Sequence, residues 1–269
     1  MNEHSILVAG AGGRMGRAVV KEILNTPGAA LAGGFERPGG PSVGADIGVL
    51  AGIDAIGLRV DDSPAPGLKR AGALIDFTAP QASVEHALAA AAAGVAHIIG
   101  TTGFSKAEED ELAKAARKIP IVKSGNMSLG VNLLAALVEE AAKKLSDDYD
   151  IEILEAHHRG KIDAPSGTAL MLARAAAEGR GVDLEEKSVR ARDGVSEPRR
   201  AGDIGFAVIR GGGIVGEHKA IFAGSQEVIT LSHSAIDRGL FAKGAVAAAR
   251  WAVGKPAGLY SMRDVLGLG

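Results

Sequence analysis

Cysteine is absent from the chain, which excludes disulfides, thiolate metal sites and a cysteine nucleophile and suits a reducing compartment. Aromatic residues make up only 3%, so a surface that stacks nucleic-acid bases on aromatic rings is not expected. Neither sign of charge dominates. Thirty Lys and Arg against 32 Asp and Glu leave a formal charge of -2, so no broad electropositive field is present for nucleic acid or an anionic membrane, and any anion site must be local. A membrane span is not expected either: Ala87 to Phe104 carries no formal charge, but it is alanine-rich and broken by Gly94, His97 and Gly100, which reads as a helix followed by a buried strand. Ser5 runs into Ile6-Leu7-Val8-Ala9 with no succession of basic leader, apolar stretch and small-residue cleavage site, so a cytoplasmic location is expected.

What is present is a globular composition, 46% hydrophobic and 23% charged, with 38 glycines that mark many tight turns. At 269 residues it is long enough for one large domain or two of ordinary size. Ser5 to Ala9, Ala30 to Phe35, Ala73 to Phe77, Ala96 to Ile99 and Ile119 to Lys123 read as strands, and Arg14 to Asn25, Pro80 to Ala93 and Lys106 to Lys118 as helices. This alternation predicts an α/β fold, a Rossmann-like doubly wound parallel sheet covered on both faces. Gly39 to Asp62 reads as loop with a short strand. After about Ser124 the pattern changes to a helix from Ser128 to Leu145, a strand from Ile151 to Ala156 and a helix from Ser166 to about Glu178. Strand-like runs follow at Ser188 to Ala191, Phe206 to Arg210, Ile214 to Phe222 and Glu227 to Ser232. Gly211-Gly212-Gly213 signals a turn between an antiparallel pair, so a second, α+β domain with a mixed sheet is expected. Leu240 to Val253 reads as a last helix that returns to the first domain, and Asp193 to Gly205 as the most mobile loop.

Gly10-Ala11-Gly12-Gly13-Arg14-Met15-Gly16 follows the first strand and opens a helix, the setting in which glycines let a backbone approach a pyrophosphate at a helix N-terminus. Its last glycine stands one residue later than in the commonest fingerprint. Glu36 ends the second strand, about 20 residues beyond the loop, where an acid accepts hydrogen bonds from an adenosine ribose. Arg37 next to it suits a 2′-phosphate, so the pair is compatible with NADH or NADPH. Gly100-Thr101-Thr102-Gly103 lies beyond the carboxyl end of another strand, where doubly wound sheets place ligands.

The densest polar cluster is Glu155-Ala156-His157-His158-Arg159-Gly160-Lys161-Ile162-Asp163-Ala164-Pro165-Ser166-Gly167-Thr168. It leaves a strand and enters a helix with Ser166 as N-cap. Ala169 rules out a capping box. Two histidines, an arginine and a lysine beside a helix N-terminus make a local carboxylate-binding site, and histidine and lysine are groups that can deliver a proton after hydride transfer. No metal is expected, because adjacent His157 and His158 diverge in an extended segment and no partner stands at ligand spacing. An exposed basic loop with no chemistry is the plain alternative.

These strings resemble the 4-hydroxy-tetrahydrodipicolinate (dihydrodipicolinate) reductase family of lysine and diaminopimelate biosynthesis. The resemblance rests on the glycine loop, on Asp76-Phe77-Thr78 and on the Gly100 to Gly103 tetrad. The block Glu155 to Ala169, Gly213-Ile214-Val215-Gly216-Glu217-His218 and the closing Arg238, Phe241 and Gly244-Ala245 extend it almost end to end. It implies NAD(P)H-dependent reduction of a cyclic imino dicarboxylate with loss of its 4-hydroxyl as water. By that resemblance His157 is the proton donor or acceptor, Lys161 the other proton donor, and His158, Gly167 and Thr168 substrate-carboxylate contacts. Gly10, Ala11, Gly12, Gly13, Arg14, Met15, Glu36, Arg37, Gly100, Thr101 and Thr102 then contact the cofactor, joined by Ser124, Gly125, Asn126 and Met127 at an interdomain hinge that closes over substrate. Many relatives carry phenylalanine where Met127 stands. The implied organisation is a dinucleotide-binding domain, 1–127 completed by 239–269, and a substrate-binding and oligomerisation domain, 128–238, in a homotetramer. Two other readings use part of these residues: a different NAD(P)-dependent oxidoreductase of a small carboxylated aldehyde or imine, and a dinucleotide sensor without catalysis.

Overall fold

The structure is a computed structural model that describes residues 4–195 and 197–268. Along the chain come β1 (Ser5–Ala9), α1 (Arg14–Asn25), β2 (Ala30–Phe35), α2 (Ile47–Ala51), α3 (Ala65–Leu68), β3 (Ala73–Asp76), α4 (Pro80–Ala93), β4 (Ala96–Ile99), α5 (Lys106–Ala116) and β5 (Pro120–Lys123). There follow α6 (Leu129–Lys144), β6 (Asp150–His157), α7 (Gly167–Arg180), α8 (Leu184–Lys187), β7 (Ser188–Val189), β8 (Ile204–Arg210), β9 (Glu217–Ala223) and β10 (Val228–Ser234). The chain ends with α9 (Gly239–Ala252), β11 (Gly258–Tyr260) and α10 (Met262–Leu266). Two compact units result, Met1–Leu129 with Gly239–Gly269, and Gly130–Arg238.

In the first unit six strands form one sheet in the order β11-β5-β4-β3-β1-β2, every pair parallel. All five residues of β1 are buried, as a strand covered on both faces requires. Ile6 and Val8 enter a core shared with Val19, Val20 and Ile23 of α1 and with Ala245, Val246 and Ala249 of α9. Leu7 and Ala9 alternate to the other face and join Ala87 and Ala90 of α4 and Leu112 and Ala115 of α5. The many alanines let these helices lie close to the sheet. The last helix does return to this unit, and a Cβ on its Gly244 would stand 1.7 Å from the carbonyl oxygen of Met127. Beyond it, β11 extends the sheet beside β5, an edge too short to show a sequence period.

The expected short strand within Gly39 to Asp62 is instead a short helix, α2. Asp46 is the cause: its Oδ1 accepts from the N–H groups of Gly48, Val49 and Ile56 at 2.8, 3.1 and 3.2 Å, and its Oδ2 from Gly57 at 2.8 Å. A single side chain caps the helix and gathers the following turn.

In the second unit β6 is central in a mixed sheet of order β10-β9-β6-β8-β7. Ile151 and Ile153 alternate onto the face that Leu172, Ala173 and Ala176 of α7 and Leu134 and Val138 of α6 cover, together with Phe206 and Phe222 from the flanking strands. The antiparallel pair expected across Gly211-Gly212-Gly213 does not form. Strands β8 and β9 flank β6 on opposite sides, one parallel and one antiparallel to it. The glycines carry the chain past the end of β6, where the Gly211 N–H donates to the His157 carbonyl at 3.0 Å and the Arg159 N–H to the Gly212 carbonyl at 3.2 Å. The hairpin joins β9 to β10 instead. Between β7 and β8, Arg199 holds the described part of the loop by donating to Asp150 at 2.6 Å and Glu152 at 3.1 Å. Ser196, within the stretch expected to be mobile, lies outside the described residues.

Candidate active site

The strand order places a reversal of direction between β1 and β3, because β2 lies to one side of β1 and the later strands to the other. Such a switch point opens a crevice at the carboxyl ends of the strands. Gly10, with φ +63°, leaves β1 there, and a Cβ on it would lie 3.1 Å from Thr78 Cγ2, just past β3. The loop is closed on itself: the Gly13 N–H donates to the Gly10 carbonyl at 2.9 Å and Arg17 Nε to the Gly12 carbonyl at 2.7 Å. Gly16 is required sterically, since its Cβ would stand 2.1 Å from the Gly10 oxygen. Gly13 caps α1 without any side-chain partner, so the first-turn N–H groups, beginning at exposed Arg14 and half-buried Met15, have no side-chain cap.

Glu36 leaves β2 and turns back to the loop, where its Oε1 accepts from the Gly12 N–H at 3.0 Å. Exposed Arg37 follows it. These residues, with Gly10, Thr78, Glu85 and His86, line a cleft of about 440 Å³. Sequence reasoning singled out Asp76 and Thr78 but not the polar cluster beneath them. Asp76 is fully buried, accepts from the Thr78 N–H at 2.8 Å and hydroxyl at 2.6 Å, and faces His86 Nδ1 at 2.8 Å and His97 Nε2 at 3.4 Å. Burial works against its charge, but the two imidazoles outweigh it and hold the carboxyl well below the usual carboxylate range. His86 is ten residues and His97 twenty-one residues away along the chain, which no local pattern reveals.

The neighbouring strand ends bring up the other loop residues. Gly100 has no room for a side chain, its Cβ falling 2.1 Å from the Phe77 ring; Thr101 is buried with its hydroxyl taking a bond from Ser83 at 2.8 Å, and Thr102 is exposed. After β5, the Ser124 hydroxyl donates to the Asn126 carbonyl at 2.8 Å and Asn126 Oδ1 accepts from the Ser128 N–H at 2.9 Å, a turn that leaves Gly125 3.7 Å, by its Cβ position, from Thr102. Met127 is different: its side chain is buried in the core of the first unit.

The second unit gathers the residues that follow β6. His157 is buried and its Nδ1 lies 2.6 Å from Glu155 Oε2; the two side chains share a face because they are two residues apart on a strand. Glu155 is fully buried and also accepts from Arg210 and from the Ser166 N–H. Its burial favours the neutral acid, yet Arg210, His157 and that N–H together lower its pKa below the usual value. Ser166 caps α7 as expected, its hydroxyl accepting from the Ala169 N–H at 3.2 Å, and exposed Gly167 and half-buried Thr168 form the first turn. His218 of β9 lies 3.1 Å from that hydroxyl and stacks edge-on against His157 at 5.0 Å between centroids. Burial and the nearby His157 push its pKa down to about 4, so it is neutral at pH 7. Half-buried His158 meets Arg238 at 3.3 Å, and Lys161 Nζ bonds both oxygens of Asp163 at 2.7 and 2.8 Å. Glu155, Arg210, His218 and Arg238 were not identified as site residues from sequence. The alternation Glu155, His157 was a local signal; the other three come from distant strands and loops.

The comparisons agree with this architecture. Residues 4–127 match the family model described as the N-terminus of dihydrodipicolinate reductase, and residues 130–266 match its C-terminus. The chain belongs to the dihydrodipicolinate reductase family. A protein of Parvibaculum lavamentivorans named 4-hydroxy-tetrahydrodipicolinate reductase is 56% identical over 98% of this chain and 97% of its own length. One of that name from Brucella abortus is 54% identical over 98% of each. Among solved structures, the dipicolinate-bound dihydrodipicolinate reductase of Paenisporosarcina sp. TG-14 shares the fold at a TM-score of 0.78, with 21% identity over 97% of this chain and 98% of that one. Both halves of the family are thus present. Among the described residues, no helix is long and apolar enough to cross a membrane.

Proposed function

We propose that the chain reduces 4-hydroxy-tetrahydrodipicolinate to tetrahydrodipicolinate with NADH or NADPH and loss of water, a step of lysine and diaminopimelate biosynthesis. The observation that carries this reading is the match of both halves to one reductase family, with relatives of that name above half identity along almost the whole length. In this reading the first unit takes the dinucleotide and the second the dicarboxylate.

The residues of the first unit fit a dinucleotide. Gly12 and Gly16 leave no space for a side chain, the first turn of α1 has no side-chain cap, and Glu36 stands at the adjoining cleft. Gly10 to Met15 then face the pyrophosphate, Glu36 the adenosine ribose and Arg37 a 2′-phosphate when present. Gly100, Thr101, Thr102 and Ser124 to Asn126 serve the nicotinamide end; Met127 contributes through its backbone, since its side chain is in the core. When bound, the cofactor supplies a hydride. His158, with Arg238 beside it, and the first-turn N–H groups of Gly167 and Thr168 hold the carboxylates. His157 and Lys161 carry protons, Lys161 after exchanging its Asp163 partner for substrate. Cytoplasmic location fits a soluble dinucleotide-dependent step. Assembly as a homotetramer is supported by exposed Val208, Ile209 and Val228 on the strands of the second unit.

The test is a coupled assay in which the synthase makes the substrate in situ from pyruvate and aspartate semialdehyde, with NADH and NADPH oxidation followed separately. Synthase-dependent oxidation is the expected result. Folded protein that binds the dinucleotide and oxidises neither cofactor would overturn the reading in favour of a sensor or another carboxylated substrate.

A further inference from the structure

The carboxylate of Glu155 receives four hydrogen bonds. Oε2 takes His157 Nδ1 at 2.6 Å and Arg210 Nη1 at 2.7 Å; Oε1 takes Arg210 Nη2 at 2.8 Å and the Ser166 N–H at 3.0 Å. The same guanidinium reaches the loop that bears Lys161: Nε donates to the Lys161 carbonyl at 3.3 Å and Nη2 to the Asp163 carbonyl at 2.6 Å. The β6–β8 register puts Arg210 directly beside His157, so the fork needs no long reach to touch both. An ionised carboxylate has no proton to give. Nδ1 of His157 must therefore carry one, which leaves Nε2 as the atom that exchanges a proton. That atom faces the backbone at Gly216, whose Cβ position is 3.2 Å away.

We propose that Arg210 and Glu155 are positioning residues that act as one clamp on both proton carriers, fixing the tautomer and orientation of His157 and the backbone that presents Lys161. The proposal deepens the reductase reading and rests on it for the roles of His157 and Lys161. An ion pair with a packing role alone would leave the histidine tautomer to other neighbours. The charged and titratable groups around His157 are Glu155 from its own strand, Arg210 from β8 and His218 from β9, with His233 on β10 and Lys161 from the loop acting on His218. Among these only Glu155 has an acceptor on Nδ1.

The full-length chain is labelled with ¹⁵N-histidine and the ring nitrogens of His157 are recorded, with His157→Gln giving the assignment, alongside kcat and KM. The parent is expected to carry its proton on Nδ1. In Glu155→Gln the proton distributes over both nitrogens and kcat falls on the order of 100-fold, while the KM for the dinucleotide changes less than about twofold. Arg210→Lys keeps a cation beside Glu155 but loses the fork to the two carbonyls, so the Nδ1–H signature is retained and kcat falls about tenfold. Glu155→Asp is the reserve should the glutamine variant not fold, with partial recovery of both readouts expected. A parent proton on Nε2, or a Glu155→Gln protein with unchanged ring signals and kcat within about twofold, would overturn the clamp. The ring signals need no turnover: a parent with Nδ1–H and no reductase activity would sink the functional reading and leave the positioning of His157 intact.

Discussion

The two units place their functional groups by opposite means. In the first, the loop after β1 works through backbone: glycines that tolerate no Cβ and an unassisted helix N-terminus, with side chains at the margin. In the second, ionised and neutral side chains are packed together, half-buried Arg210 on buried Glu155 and His157, and His218 on Ser166 at the start of α7. A backbone site is made by a short stretch of chain and carries little charge of its own. A side-chain site needs three strands in register and depends on the protonation state of each member. The first kind is therefore robust to pH and sensitive to bulk, the second robust to neither removal of a charge nor addition of one.

Three experiments sharpen that contrast. The largest effect is expected from Lys161→Ala, which removes one of the two proposed proton carriers: turnover should drop about 10³-fold in steady-state kinetics while NADH affinity, measured by fluorescence titration, is unchanged. Unchanged turnover would end the assignment. Next comes acid. His218 has its pKa depressed to about 4 by burial, with His157, His233 and Lys161 adding to the depression and Glu155 opposing it. The unfolded chain thus binds a proton below about 6.5 that the folded chain refuses, so this group stabilises fully above that value and loses about 3 kcal/mol as pH falls from 6.5 to 4. His218→Gln should flatten that part of the stability profile in denaturant titrations, and an identical slope in both proteins would refute it. In the first unit, buried Asp76 has its carboxyl lowered, so its contribution is kept at these pH values and declines only as pH falls below the usual carboxylate range. The smallest effect is Arg37→Ala, which should weaken NADPH about tenfold and NADH little, by the loss of one charge-assisted contact. Equal losses would remove the 2′-phosphate role.

The same contrast explains how much was legible in the sequence. The glycine loop, Glu36 and the run from His157 to Thr168 are contiguous strings, and their strand-to-helix setting follows from local punctuation. Parallel β1 to β5 and helices α1, α4 and α5 were readable because short apolar runs alternate with longer alanine-rich stretches, each bounded by glycine, proline or polar residues. Gly211-Gly212-Gly213 misled because neighbours in sequence need not pair in a sheet: β6, laid down some fifty residues earlier, lies between β8 and β9. For the same reason Arg210 and His218 were out of reach, as both meet the site only across β6. Helix α2 was hidden because one carboxylate, Asp46, organises a segment too short to show a helical period.

The return of α9 sets an order for synthesis on the ribosome. Ala242, Ala245, Val246 and Ala249 complete the core beneath Ile6 and Val8, and Gly244 lies against the Met127 carbonyl, yet all of them are translated after the entire second unit. The nascent first unit therefore emerges with one sheet face covered only in part, by α1 and α2, and with β5 unpaired at its edge until β11 arrives. Only the second unit is contiguous in the chain, so all of its residues are synthesised before the first unit receives its last helices and strand.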